Sequence, residues 1–247
     1  MKRSAHHTVF FSICLILTTM SSSFSKPKAP QSRVLIFCKT AGFHHNSIPA
    51  GIKAIERLGM QNGFRCDTTT DSLQFSKRNL KKYAAVIFLN TTGNVLNEEQ
   101  QKVFEQYIRS GKGFVGIHAA SDTEYDWPWY NQLVGAYFSN HPKQQQALLQ
   151  IKDQSFKGMS ALPPQWSRWD EWYNFKDTHW DEVKVLITLD EKSIEGGTNG
   201  DFHPVSWYRD FDGGRSFYTA MGHTDETYED NLFLKHLLGG IQYAIGH

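Results

Sequence analysis

The sequence is poor in the features that would settle its class at a glance. Only three of its 247 residues are cysteine (Cys14, Cys38 and Cys66), and none stands in a Cys-x-x-Cys pair, so a zinc ribbon and a dithiol redox motif are excluded. Formal charge is +1 and no block of like charges occurs. That leaves no basic face for a nucleic-acid partner. No Gly-x-Gly-x-x-Gly follows a strand-like run, so NAD is not expected. No apolar run is long enough to span a bilayer comfortably. Two histidines at helical His-x-x-x-His spacing are also missing, so metal ligands would have to converge from separate loops. Neither an internal repeat nor a low-complexity tract is present.

What is there begins with a leader. Lys2 and Arg3 precede an apolar run from Val9 to Leu17, and small polar residues Ser21, Ser22, Ser23 and Ser25 follow. This is the layout of a secretory signal peptide, with an uncleaved anchor as the alternative. The expected division is a signal peptide over 1–25, a linker over 26–32 and one domain over 33–247. The mature chain is then near neutral, exported to the periplasm or cell envelope, and without a stable membrane span. A homo-oligomer stays open. Cys38 and Cys66 lie in strand-like runs; two buried free thiols are expected rather than a disulfide.

Past the linker, continuous apolar runs alternate with helical periodicity. Val34–Cys38, Phe64–Thr68, Ala84–Leu89 and Phe114–Ile117 read as strands. Ile48, Ile52, Ile55 and Leu58 recur at helical spacing after Ser47, a candidate N-cap. Asn97 with Gln100 forms a capping box for the helix carrying Val103, Phe104, Tyr107 and Ile108. This is an α/β pattern: a mostly parallel sheet with helices on both sides, a three-layer sandwich. In the second half, Gln146–Lys152 and Val183–Leu189 read as strands. His203–Arg209 and Arg215–Met221 read as a hairpin across Asp212-Gly213-Gly214, and a last helix is expected from about Tyr228 to Ala244.

Ligands of such sheets bind beyond the carboxyl ends of the strands. There the sequence places Thr40–Asn46, Asn90–Gly93 and His118–Asp122. His118 ends a strand among small residues, as a nucleophile does at an elbow turn, but imidazole suits a general base or a metal ligand. His223 follows another strand, with Asp225 and Glu226 close behind to orient it. His118, His223 and Glu226 are therefore the candidate catalytic groups. His44, His45, His118, His203 and His223 all flank strands and, together with Glu171, could hold a divalent ion such as zinc, with His45, His118 and His223 as the candidate ligands; an unmetallated polar pocket is the alternative. All seven tryptophans fall between Trp127 and Trp207. Aromatics mixed with carboxylates suit sugar rings, which makes His45, Asp122, Trp127, Trp129, Glu171 and Trp172 the candidate substrate-binding set. For any single tryptophan a core position is the alternative.

The segments Gly42-Phe43-His44-His45-Asn46-Ser47-Ile48, Gly113–Asp122, Asp126-Trp127-Pro128-Trp129-Tyr130, Asp170-Glu171-Trp172-Tyr173 and Tyr218–Thr224 resemble the ThuA-like domain, named for trehalose utilisation. The resemblance covers nearly all of 33–245. It implies the class I glutamine-amidotransferase-like, flavodoxin-like fold. On that fold His118 stands where amidotransferases carry their cysteine, and His223 where they carry the catalytic histidine. Without a thiolate at 118, glutamine hydrolysis is not expected. The family typically has Arg where His44 stands. The resemblance also implies carbohydrate metabolism through 3-keto-sugars. An exported enzyme acting on a sugar or keto-sugar by proton transfer, with metal assistance as an option that the histidine set above leaves open, is the first expectation. A non-catalytic sugar-binding protein is the second.

Overall fold

A computed structural model describes Met1 and residues 31–246. The expected signal peptide, Cys14 and linker residues 26–30 lie outside the described residues. From Gln31 onward the chain forms one compact unit.

The elements in chain order are β1 (Ser32–Phe37), α1 (Ile48–Asn62), β2 (Phe64–Thr69), α2 (Lys77–Leu80), β3 (Ala85–Leu89), α3 (Glu98–Arg109), β4 (Gly113–Ile117), α4 (Pro128–Val134), β5 (Tyr137–Asn140), β6 (Gln145–Ile151), β7 (Gln165–Asp170), β8 (Asn174–Lys176), β9 (Lys184–Leu189), β10 (His203–Phe211), β11 (Gly214–Thr219) and α5 (Asn231–Ile245). Nine strands make one sheet in the order β2-β1-β3-β4-β11-β10-β9-β6-β7, and β5 pairs with β8 apart from it. The first five strands in that order run parallel. From β11 to β7 every pairing is antiparallel. The sheet is thus mixed, and its antiparallel half is built from the tryptophan-rich region.

The parallel half follows from the apolar runs. Every residue of β3 and of β4 is buried, which requires cover on both faces. Neighbouring residues of β3 show that cover. Phe88 stacks on Phe104 of α3 at 5.5 Å. Leu89, on the other face of the pleat, lies so close under α1 that a methyl added at Gly51 would approach it to 2.9 Å. The helix α3 carries the expected Asn97–Gln100 capping box. The helix α5 starts at Asn231 rather than Tyr228, because Asp230 is extended and its carboxylate caps the N–H groups of Leu232 and Phe233.

One local expectation is corrected. Ser47 does not cap α1; it has helical backbone angles and makes no side-chain cap bond. Its Oγ instead donates to the carbonyl of Gly222, 3.0 Å away. The two thiols are free, as expected, although only Cys38 is buried and Cys66 is partly exposed, and the strand register shows why they cannot meet. Cys66 lies beside Val34, four residues before Cys38. At about 3.3 Å per residue that is roughly 13 Å along the strand, beyond the reach of a disulfide.

Candidate functional site

The carboxyl ends of β1, β3, β4 and β11 lie together at one edge of the parallel half. Immediately after β4, His118 adopts φ 48°, a left-handed conformation that is uncommon outside glycine and asparagine and costs about 1–2 kcal/mol. The turn throws the imidazole over the sheet edge. His118 Nδ1 lies 2.7 Å from the carbonyl oxygen of Ala220. A carbonyl only accepts, so Nδ1 carries a proton, and Nε2 is the nitrogen turned toward the other site residues. That Nε2 faces His223 Nδ1 at 3.2 Å.

His223 is held from three directions. The Gly222 carbonyl before it accepts from Ser47 Oγ (3.0 Å), Asn90 Nδ2 (3.2 Å) and Tyr228 Oη (3.2 Å). Gly222 has φ 127°, and a methyl there would come within 2.7 Å of the Tyr228 hydroxyl. The backbone N–H groups of Gly222 and His223 both donate to Asp170, at 3.2 and 3.1 Å. Asp170 also accepts from the Glu171 N–H, Thr227 Oγ1 and the Arg168 guanidinium. It is fully buried, and it fixes His223 and Glu171 together.

The other two members come from loops. His45 is buried, and its ring centre lies 4.9 Å from that of His118 and 5.1 Å from that of His223. Its Nδ1 is buried with no hydrogen-bond partner among the described residues. Glu171 follows β7. Its Oε2 lies 3.0 Å from His223 Nδ1 and 3.5 Å from His118 Nε2. Its Oε1 lies 3.3 Å from Nδ1 of His141, a half-exposed imidazole at the rim. Ligand atoms of His45, His118, Glu171 and His223 all lie within 4.8 Å of one another.

This donor set fits a divalent ion. A tetrahedral zinc with bonds of about 2.0–2.1 Å has ligand-to-ligand edges of roughly 3.3 Å. The three edges among His118, His223 and Glu171 are 3.2, 3.5 and 3.0 Å. The protonation states fit as well. Burial, then the neighbouring imidazoles of His118 and His223, push His45 down to about 2. Burial acts to raise the Glu171 carboxyl, but His118 and His223 outweigh it and hold it well below the usual carboxylate range. The cluster therefore offers a neutral imidazole and a carboxylate, the forms that bind metals. The His118 Nδ1–H bond to a backbone carbonyl is the outer contact that orients a ligating histidine.

The remaining expected residues fall in different places. Glu226, the carboxylate the sequence puts beside His223, is exposed on a 3-10 turn over Glu226–Glu229; the carboxylate on His223 is Glu171. Trp127 and Trp129 do not line the site. Trp127 stacks on Tyr130 and bonds Glu105 of α3. Trp129 bonds Asp212 in the β10–β11 turn, at the opposite end of the parallel strands. Trp172 is fully buried and donates to the Gln145 carbonyl. Asp122 stands after the 3-10 turn His118–Ser121. It accepts from Tyr125 Oη at 2.6 Å, and burial pushes its carboxyl up against the opposing pull of Tyr125 and His118. His44 is exposed, and His203 is a core residue bridging Glu191 and the Tyr173 carbonyl. Two contributors lie inside the Asp170-Glu171-Trp172-Tyr173 segment but are not among the expected site residues. These are Asp170 and Tyr173, whose ring lies 4.3 Å from that of His118.

The ThuA family model, described as trehalose utilisation, matches residues 33–244. No curated protein matches. A solved ThuA-like protein of Bacteroides uniformis ATCC 8492 is 26% identical, with a TM-score of 0.75 over 89% of this chain and 94% of that one. One from Parabacteroides merdae ATCC 43184 is 21% identical, with a TM-score of 0.71 over 88% and 91%. The β-galactosidase of Bacillus circulans sp. alkalophilus shares the fold over 87% of this chain and 30% of its own, at 13% identity and a TM-score of 0.55.

Proposed function

The chain belongs to the ThuA, trehalose utilisation, family by the match over residues 33–244, and from that premise we propose that it is an exported enzyme acting on a sugar or keto-sugar at a divalent-metal site. The substrate class is a disaccharide or glycoside derivative, and His45, His118, Glu171 and His223 are the ligands. The observation that carries this reading is the set of short edges among three side chains from distant parts of the chain. The same reading takes the sheet and its helices on both faces as the three-layer sandwich of class I glutamine amidotransferases. Export rests on the basic, then apolar, then small-residue leader.

When bound, the ion would polarise a substrate oxygen as a Lewis acid. The protein's own groups prepare the site. Ala220 fixes the proton of His118 on Nδ1 and keeps Nε2 turned toward the ligand position. Asp170 locks the backbone of His223 and Glu171, so the donors need not reorganise when a ligand arrives. Asp122, half-buried and still holding an acceptor oxygen, is placed to bind a sugar hydroxyl.

The test is metal analysis of the purified protein alongside turnover of plain and oxidised disaccharides, for the wild type and for His118→Ala and His223→Asn. Bound zinc or a similar ion in the wild type, with both ion and turnover lost in the variants, is expected. A wild-type protein that takes up no divalent ion, with turnover unchanged in both variants, would end the proposal.

A further inference from the structure

The aromatic wall that the sequence assigns to Trp127 and Trp129 is not at the site, which leaves open what grips a substrate outside the ligand cluster. Phe43 is 65% exposed, an unusual position for a large apolar ring. Its ring centre lies 4.8 Å from that of buried His45, so it stands at the outer side of the cluster. With two thirds of its surface in water, the ring cannot have both faces covered by protein.

The exposure is imposed by the backbone. Ala41 N–H donates to the Thr92 carbonyl at 2.7 Å. Gly42 N–H donates to Thr92 Oγ1 at 3.2 Å, and Thr92 Oγ1 donates to the Phe43 carbonyl at 2.8 Å. Thr92 is itself fully buried. Its segment is tied in turn to the chain beyond β4 by the bridge between Gly93 and Thr123. The loop is clamped on both sides of the ring it holds in water. A rigid aromatic surface kept wet beside a polar cluster suits a ligand with one apolar and one polar face, and the C–H face of a pyranose has that character.

Resting on the sugar reading above, we propose that Phe43 is the stacking platform for a second sugar ring, the one next to the ring held at the cluster, and that it sets a preference for two-ring over one-ring ligands. It is a binding residue and takes no part in proton transfer.

The experiment measures affinity of the full protein, with zinc present, for trehalose and 3-ketotrehalose and for the one-ring probes glucose and 3-ketoglucose. The variants are Phe43→Ala and Phe43→Trp. Loss of the platform is expected to weaken two-ring binding about tenfold, the equivalent of removing one ring face of buried apolar area. One-ring binding should hold, and Phe43→Trp should restore the two-ring preference. Zinc affinity, measured separately, guards against a mere collapse of the His45 loop. Equal weakening of both probe classes, or two-ring binding that Phe43→Ala leaves intact, overturns the platform while the sugar reading stands. If neither probe class binds the wild type, the sugar reading falls and takes the platform with it.

Discussion

Replacing Asp170 by Asn tests the support beneath the site. The side chain is fully buried, and its two oxygens accept from the N–H groups of Glu171, Gly222 and His223, from Thr227 Oγ1 and from the Arg168 guanidinium. An amide of the same shape keeps one acceptor and turns an NH2 toward groups that are themselves donors. Arg168 is then a buried cation whose nearest remaining carboxylate is Asp230, at 3.5 Å, while its Nε already lacks a partner among the described residues. Breaking a buried pair by removing one member costs about 3–5 kcal/mol. In a domain of this size each kcal/mol lowers Tm by about 2–4 °C, so Asp170→Asn should lower Tm by about 10 °C. Scanning calorimetry and urea unfolding measure it. A second variant, Arg168→Met with Asp170→Asn, should recover part of the loss by removing the stranded charge. A fall in Tm below about 2 °C, or no recovery in the double variant, would show that the carboxylate does not brace the site.

Gly222→Ala and Gly63→Ala both place a methyl at positive φ, but Gly63 faces open space whereas Gly222 would meet the Tyr228 hydroxyl at 2.7 Å and Ile117 at 3.0 Å. The first change should cost about 1–3 kcal/mol more than the second in chemical unfolding; equal losses would refute the close packing at Gly222. Burial, then the Arg168 charge, push His236 from 6.5 down to about 3. The unfolded chain therefore takes a proton that the folded protein refuses. Its contribution to stability is full above pH 6.5 and is lost as pH falls toward 3, at about 1.4 kcal/mol per pH unit. His236→Gln should flatten the stability profile between pH 6 and 4 relative to wild type, on the order of that slope, and parallel profiles would count against the shift. Glu226→Gln, on the exposed turn, should change stability by no more than about 0.5 kcal/mol and leave metal binding untouched.

The parallel half was legible because each signal there is local. An apolar run such as Ala85–Leu89 can only be a strand covered on both faces, and the Asn97–Gln100 pair writes its own cap. His45, His118 and His223 were legible for a related reason: they end or follow such strands, and the carboxyl edge of a parallel sheet gathers whatever its strands end on. The antiparallel half was harder. Its strand β7 alternates buried Trp166, Arg168 and Asp170 with exposed Gln165, Ser167 and Trp169, so a half-buried edge strand buries a charge pair where the pattern calls for apolar residues. The same circumstance hid the role of Asp170. Asp170 stands in a segment that carries the family resemblance, but nothing in that segment tells the role of a buried carboxylate beneath a histidine loop, which is defined by partners that folding brings from distant positions. That circumstance also misplaced the partner of His223. Glu226 is near in sequence, but the 3-10 turn after Asp225 carries it outward to solvent, while Glu171 arrives from about fifty residues upstream because β7 ends over the carboxyl edge of β4 and β11. Proximity along the chain favours the wrong carboxylate whenever the right one is delivered by a strand from the far side of the sheet. The tryptophans erred in the same way. Trp127 and Trp129 lie close to His118 in sequence, yet α4 turns them back along the sheet toward α3 and the Asp212 turn, and the aromatic left in water beside the cluster is Phe43, held there by Thr92 from the end of another strand.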